Sequence, residues 1–159
     1  MSRPSVNASP TLVSIHIAPG SRLPMKSVSS IVAEASKGLV GDRYHGTRHR
    51  HVTVQSAESL AEASERLGLT IEPWMTRRNL TLDHGRVPRN PGDRLLIGDD
   101  VLLEVVRIAA PCRLLDDVIG QGAARALHLL AGSVCRVLAG GELRLTDRIS
   151  FEKRPELEC

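Results

Sequence analysis

Apolar residues fall along the chain in short runs, many of them bounded by Gly, Asp, Asn or Pro. The runs LVSIHIA, SSIVAEA, HVTVQ, NLTL, RLLIG, VLLEVVRI, SVCRVLA, ELRL and DRISFE read as strands. In RLLIGDDVLLEV, Gly98, Asp99 and Asp100 separate two aliphatic runs and predict a hairpin. Two segments have helical character. In SAESLAEASERLG, Ser56 is placed to cap the N-terminus, Ala57, Leu60, Ala63 and Leu67 share a face, and Gly68 ends the helix. In LLDDVIGQGAARALHLLAG, Gly120 and Gly122 argue against one unbroken helix. Many short strands with few helices predict a mainly β protein, barrel or sandwich, in preference to a parallel α/β sheet. Residues 1–11 read as a loose lead-in, 12–153 as a single domain and 154–159 as a tail.

The totals narrow the function. With 159 residues, 42% of them hydrophobic, the chain has material for one core. Aromatics make up only 2%, namely Tyr44, Trp74 and Phe151, so aliphatic side chains must fill that core and base-stacking platforms are not expected. A net charge of +3, spread along the chain without a basic block, gives no support to a nucleic-acid partner. Lysine occurs only at positions 26, 37 and 153; the arginine that replaces it elsewhere suits forked recognition of phosphate or carboxylate, although a coding bias gives the same excess. The three cysteines, Cys112, Cys135 and Cys159, have neither zinc-site nor disulfide-framework spacing. The first twenty residues lack a signal-peptide pattern and no run is long enough to span a bilayer, so the expected location is cytoplasmic, without a membrane.

Four constellations carry candidate chemistry. In LPMKSV, Lys26 and Ser27 pair a cation with a hydroxyl just before a strand, which suits a phosphate or plain surface. In KGLVGDRYHGTRHRH, three glycines let the loop wrap closely, while Asp42, Arg43 and His45 supply charge; His45, His49 and His51 raise zinc as a weaker reading than a solvated basic loop. In TRRNL, an extended chain would turn Arg77 and Arg78 to opposite faces, and Asn79 either satisfies a turn or meets a ligand. In VLLEVVRIAAPCR, Pro111 breaks the ladder and leaves Cys112 at a strand end. Cys112 is then either a buried small hydrophobe or a thiolate favoured by Arg113 beside it.

Taken in order, PMKS, GLVGDRYHG, HVTVQSAESL, RRNL, PGDRLLIGDDVLLEV, APC and RVLAGGELRLTDRI resemble the MOSC domain, the C-terminal domain of molybdenum-cofactor sulfurases, from about Leu12 to Phe151. The resemblance implies a mainly β, barrel-like fold with a few peripheral helices and a pocket for the pyranopterin molybdenum cofactor. It implies Cys112 as metal ligand and catalytic centre, with Lys26, Ser27, Arg43, Arg78, Asn79 and, less directly, Arg77 as the cofactor cradle. A thiolate is a soft ligand and arginine suits phosphate, so the residue chemistry agrees. The chain departs from the family pattern at HLLAGS, where relatives are glycine-rich; the departure is expected to reshape one pocket wall, with His128 in it.

Three functions follow from the resemblance. The first is a small molybdenum-cofactor oxidoreductase that reduces N-hydroxylated or related N-oxygenated compounds, supplied with electrons by a separate donor protein. The second is a sulfur carrier in which Cys112 holds a persulfide supplied by a separate desulfurase. The third is a non-catalytic cofactor carrier or interaction module. An exposed sheet edge also allows a homo-oligomer.

Overall fold

The computed structural model describes residues 9–154; residues 1–8 and 155–159, and with them Cys159 and most of the expected lead-in and tail, lie outside the described residues. Its strands are β1 (Leu12–Ile17), β2 (Lys26–Val28), β3 (Ser30–Glu34), β4 (Gly38–Leu39), β5 (Val52–Ser56), β6 (Leu80–Leu82), β7 (Arg94–Ile97), β8 (Val101–Ile108), β9 (Ser133–Ala139), β10 (Gly141–Arg144) and β11 (Ile149–Glu152). The helices are α1 (Ala57–Leu67), α2 (Leu114–Val118) and α3 (Ala123–Ala126), with a 3-10 turn at Pro73–Thr76. Every run read as a strand overlaps one, with ends shifted by a residue at β5 and β10. The expected hairpin forms through β7 and β8, with Ile97 opposite Val101 and Leu95 opposite Leu103. As the glycines require, the second helical segment is split into α2 and α3 around Gly120 and Gly122. Strands β2 and β4, of three and two residues, are too short to show an alternating pattern.

The expected barrel does not close. Eight strands pair in the order β11-β7-β8-β9-β5-β6-β1-β2, and β10-β3-β4 form a separate sheet. The ladder is broken at two chain corners, where β2 runs through Ser29 into β3 and β10 runs through residues 145–148 into β11. Thr146 has φ +75°, a left-handed bend that ends pleated pairing, and the corners meet through single bonds such as Leu145 N–H to the Ser29 carbonyl (3.1 Å). The sheets are mostly antiparallel, but β5 and β6 run parallel because α1 carries the chain across between them.

The main core lies between the sheets and is almost wholly aliphatic: Leu12, Ile15, Leu39, Leu80, Leu82, Leu95, Leu103, Leu143 and Ile149 are each 0% exposed. A second cluster, including Leu60, Ala63, Ile71, Leu115 and Leu127, joins α1, α2 and α3. With helices on one side and core on the other, β5 is buried along its whole length despite reading Val-Thr-Val-Gln-Ser. Its polar groups are therefore paired internally: Gln55 Nε2 donates to Thr81 Oγ1 (3.0 Å) and Thr76 Oγ1 donates to Gln55 Oε1 (2.6 Å). Ser56 holds the N-cap position of α1, but its hydroxyl donates to the Gly85 carbonyl instead of capping the helix. No helix among the described residues is long and apolar enough to cross a membrane.

One glycine is fixed by space as well as by angle. A Cβ at Gly132, where φ is +87°, would stand 1.8 Å from the Val54 carbonyl oxygen, whereas at Gly46 (φ +90°) nothing lies within 4 Å. Gly132→Ala is expected to lower unfolding free energy by about 3 kcal/mol or more, and Gly46→Ala by about 1 kcal/mol. Urea unfolding of the two variants checks this; equal costs would show that the backbone at Gly132 yields freely.

Candidate functional site

The chain leaves the large sheet where β8 ends at Ile108. Pro111 offers no donor, and the Cys112 carbonyl accepts from Leu115 N–H (3.0 Å), so Cys112 sits where α2 begins. It is exposed and free. It borders a cavity of about 250 Å³ whose lining includes Arg43, Arg50, Arg77, Arg78, Tyr44 and Thr76.

Each arginine arrives by its own route. Asp42, buried in the glycine-rich loop, pins that loop to the end of β1: its Oδ1 accepts from Ala18 N–H (3.0 Å) and its Oδ2 from Tyr44 N–H (3.3 Å). Arg43 Nη1 lies 3.5 Å from Asp42 and its Nη2 donates to the Arg77 carbonyl (3.4 Å). The guanidiniums of Arg43 and Arg50 lie 4.5 and 4.3 Å from the Tyr44 ring centroid, close enough for cation–π attraction.

Arg77 and Arg78 both line the cavity, contrary to the alternation argument. The reason is that Arg77 is not extended: at φ +63° and ψ +24° it turns the chain out of the 3-10 turn and removes the period of two. Burial and the neighbouring Arg43 hold the Arg77 pKa below its ordinary value, and its Nη2 is buried without a hydrogen-bond partner. Arg78, 6% exposed, donates from Nε to the Ala131 carbonyl and from Nη2 to the Ala110 carbonyl, both at 3.1 Å. Burial, reinforced by Arg50, brings its pKa down to about 10, which leaves it charged at neutral pH. Of the five arginines in the lining, Arg22 included, only Arg43 has a carboxylate partner among the described residues.

The remaining sequence candidates lie elsewhere. Lys26 and Ser27 are exposed on β2, opposite Ile17 and His16 of β1, and do not line the cavity. Asn79 is 1% exposed and also outside the lining; its Oδ1 accepts from Thr53 N–H (2.9 Å) and Thr53 Oγ1 (3.1 Å), and its Nδ2 donates to the His16 carbonyl (3.0 Å). The histidines do not converge. His45 lies 3.4 Å from Glu34, while buried His51 donates from Nε2 to the Thr47 carbonyl (2.9 Å) and accepts Val137 N–H at Nδ1 (3.0 Å). No group of three or more metal-binding side chains occurs among the described residues. Cys135 is core, with its thiol pKa pushed up to about 12 by burial. The HLLAGS segment does border the site, through the Ala131 carbonyl under Arg78, but His128 lines a different cavity. Sequence reading missed Tyr44, Arg50 and Arg22; the signal for the first two was a rare aromatic inside an arginine-rich loop.

The MOSC domain family model matches residues 41–150. Among solved structures, the YuaD protein from Bacillus subtilis superposes with a TM-score of 0.83 at 17% identity, covering 92% of this chain and 97% of that one. YiiM from Geobacillus stearothermophilus gives 0.69 at 17% identity, covering 91% and 76%, and YiiM from Escherichia coli gives 0.65 at 18%, covering 91% and 71%. No curated protein matches.

His51 makes the loop's anchoring sensitive to pH. Burial holds its pKa below the ordinary 6.5 in the folded chain, so on acidification the unfolded chain takes up the proton first. The neutral-ring contribution is fully present above about pH 6.5 and is lost as pH falls from there through the folded-state value; His16, also lowered by burial, adds to the decline. In urea unfolding from about pH 8 to about pH 5, His51→Gln should show a shallower loss of stability than the parent. An unchanged slope would assign the titration to other groups.

Proposed function

Because the chain belongs to the MOSC domain family, we propose that it holds the pyranopterin molybdenum cofactor at the mouth of this cavity, with the Cys112 thiolate as metal ligand. The observation that carries the reading is an exposed cysteine bordering a cavity lined by five arginines, four of them without a carboxylate partner among the described residues. The donor chemistry fits. A thiolate suits a soft metal centre, and the orphaned Arg77 Nη2 and buried Arg50 Nε are donors for an anionic group such as the cofactor's phosphate. At about 250 Å³ the cavity is smaller than pockets that enclose a drug-sized molecule, which suits a ligand held at one end.

When bound, the cofactor supplies two-electron redox chemistry at the metal. The protein's own part is to present Cys112 on a short turn, to fix Arg78 by two main-chain oxygens, and to hold a positive field that attracts anions. The reaction class we assign is reductive cleavage of an N–O bond in N-hydroxylated or N-oxygenated compounds. Two electrons from a separate donor protein and two protons convert the N-hydroxy group to N–H and release water. Exposure of Cys112 also favours a second reading, in which it carries a persulfide accepted from a desulfurase.

Purified anaerobically from a host that makes the cofactor, the wild type should contain stoichiometric molybdenum and pterin, and Cys112→Ser should lose metal. Arg78→Met should retain less cofactor and, because it leaves the buried Ala131 carbonyl unpaired, melt a few degrees below the wild type. Loaded protein with a chemical reductant should convert amidoximes or N-hydroxylated purines. Absence of molybdenum together with a labile one-sulfur addition on Cys112 in mass spectrometry would replace this reading with the persulfide carrier.

A further inference from the structure

A larger cavity, about 610 Å³, opens on another face of the same segment that anchors Arg78. Its walls come from one side of α1, from Ser59 to Arg66, the loop through Arg86–Arg89, the end of β8 and residues 128–132. The volume is within the roughly 300–1,000 Å³ of small-molecule sites.

Its charges are unbalanced. Arg66, Arg86 and Arg89 share the lining with a single carboxylate, Glu62, which lies 3.3 Å from Arg66 and 2.6 Å from Arg86. Arg89 and the His128 imidazole have no side-chain partner among the described residues. Ser59, only 7% exposed, borders the same space, and its hydroxyl has no hydrogen-bond partner there either.

The opposite character is built in beside these groups. Val87, Leu129 and Leu130 give the cavity an apolar side, and Leu129 is held at φ +64° with 53% of its surface exposed. A left-handed backbone is unfavourable for leucine, and here it does not bury the side chain; it presents it at the cavity rim.

The geometry points to a second binding site, separate from the Cys112 cavity, for a small organic anion: a phosphate or carboxylate held by Arg89, His128 and Ser59, with an apolar body against Val87 and Leu129. This site does not depend on the molybdenum reading.

The full-length chain, labelled for amide NMR, is titrated with phenyl phosphate, inorganic phosphate and benzylamine. Phenyl phosphate should move resonances of residues 56–62, 85–89 and 128–132 saturably, inorganic phosphate should bind there more weakly, and benzylamine should not bind. Loss of one charge-assisted contact in Arg89→Gln should weaken phenyl phosphate roughly tenfold. Leu129→Asn, which suits the left-handed backbone, should narrow the gap between phenyl and inorganic phosphate. The proposal is overturned if no saturable shifts occur in these segments, if they are confined to residues 110–115 around Cys112, if benzylamine binds equally well, or if Arg89→Gln has no effect.

Discussion

Asn79 bonds to two strands at the point where it leads into a third. Its side chain takes the N–H and hydroxyl of Thr53 on β5 and gives a hydrogen to the His16 carbonyl on β1, while its own backbone continues into β6. These groups are buried, and leaving any one unpaired costs about 1–3 kcal/mol. The residue is therefore hard to move, and the arginines immediately before it inherit that fixity. With Arg77 in a left-handed turn and Asn79 clamped, the chain enters the cavity wall at a set angle, and two adjacent guanidiniums reach the same space.

What gathers there is charge that the protein does not neutralise. Placing arginines within one cavity is unfavourable unless each is held by something, and apart from Asp42 beside Arg43 the holders here are uncharged: main-chain carbonyl dipoles for Arg78, the quadrupole of the Tyr44 ring for Arg43 and Arg50. Uncharged groups fix a cation without cancelling it. The field remains available to an anionic ligand beside Cys112, which is why the thiol and the arginines are read together.

Much of the fold was legible because nine apolar runs have strand length and many of them have Gly, Asp, Asn or Pro at their ends. The helices were legible from Gly68, Gly120 and Gly122. The open ladder was not, since it depends on a left-handed Thr146 and one bond between Leu145 and Ser29, neither of which leaves a pattern. Four of the seven candidate site residues, Cys112, Arg43, Arg77 and Arg78, meet in one cavity; Lys26 and Ser27 stay on an exposed strand and Asn79 turns inward. Alternation separated Arg77 from Arg78 because it assumes an extended chain. Tyr44 and Arg50 escaped notice because a ring contact between loop residues exists only once the loop is folded against β1.

Arg78 is fastened by oxygens that every amino acid possesses. At position 110 the side chain is exposed on the cavity lining, while the carbonyl behind it does the holding. Inheritance can therefore vary the outline of the opening at that position without discharging it. Descendants of this chain can change the shape of that wall while the positive charge of Arg78 stays where it is.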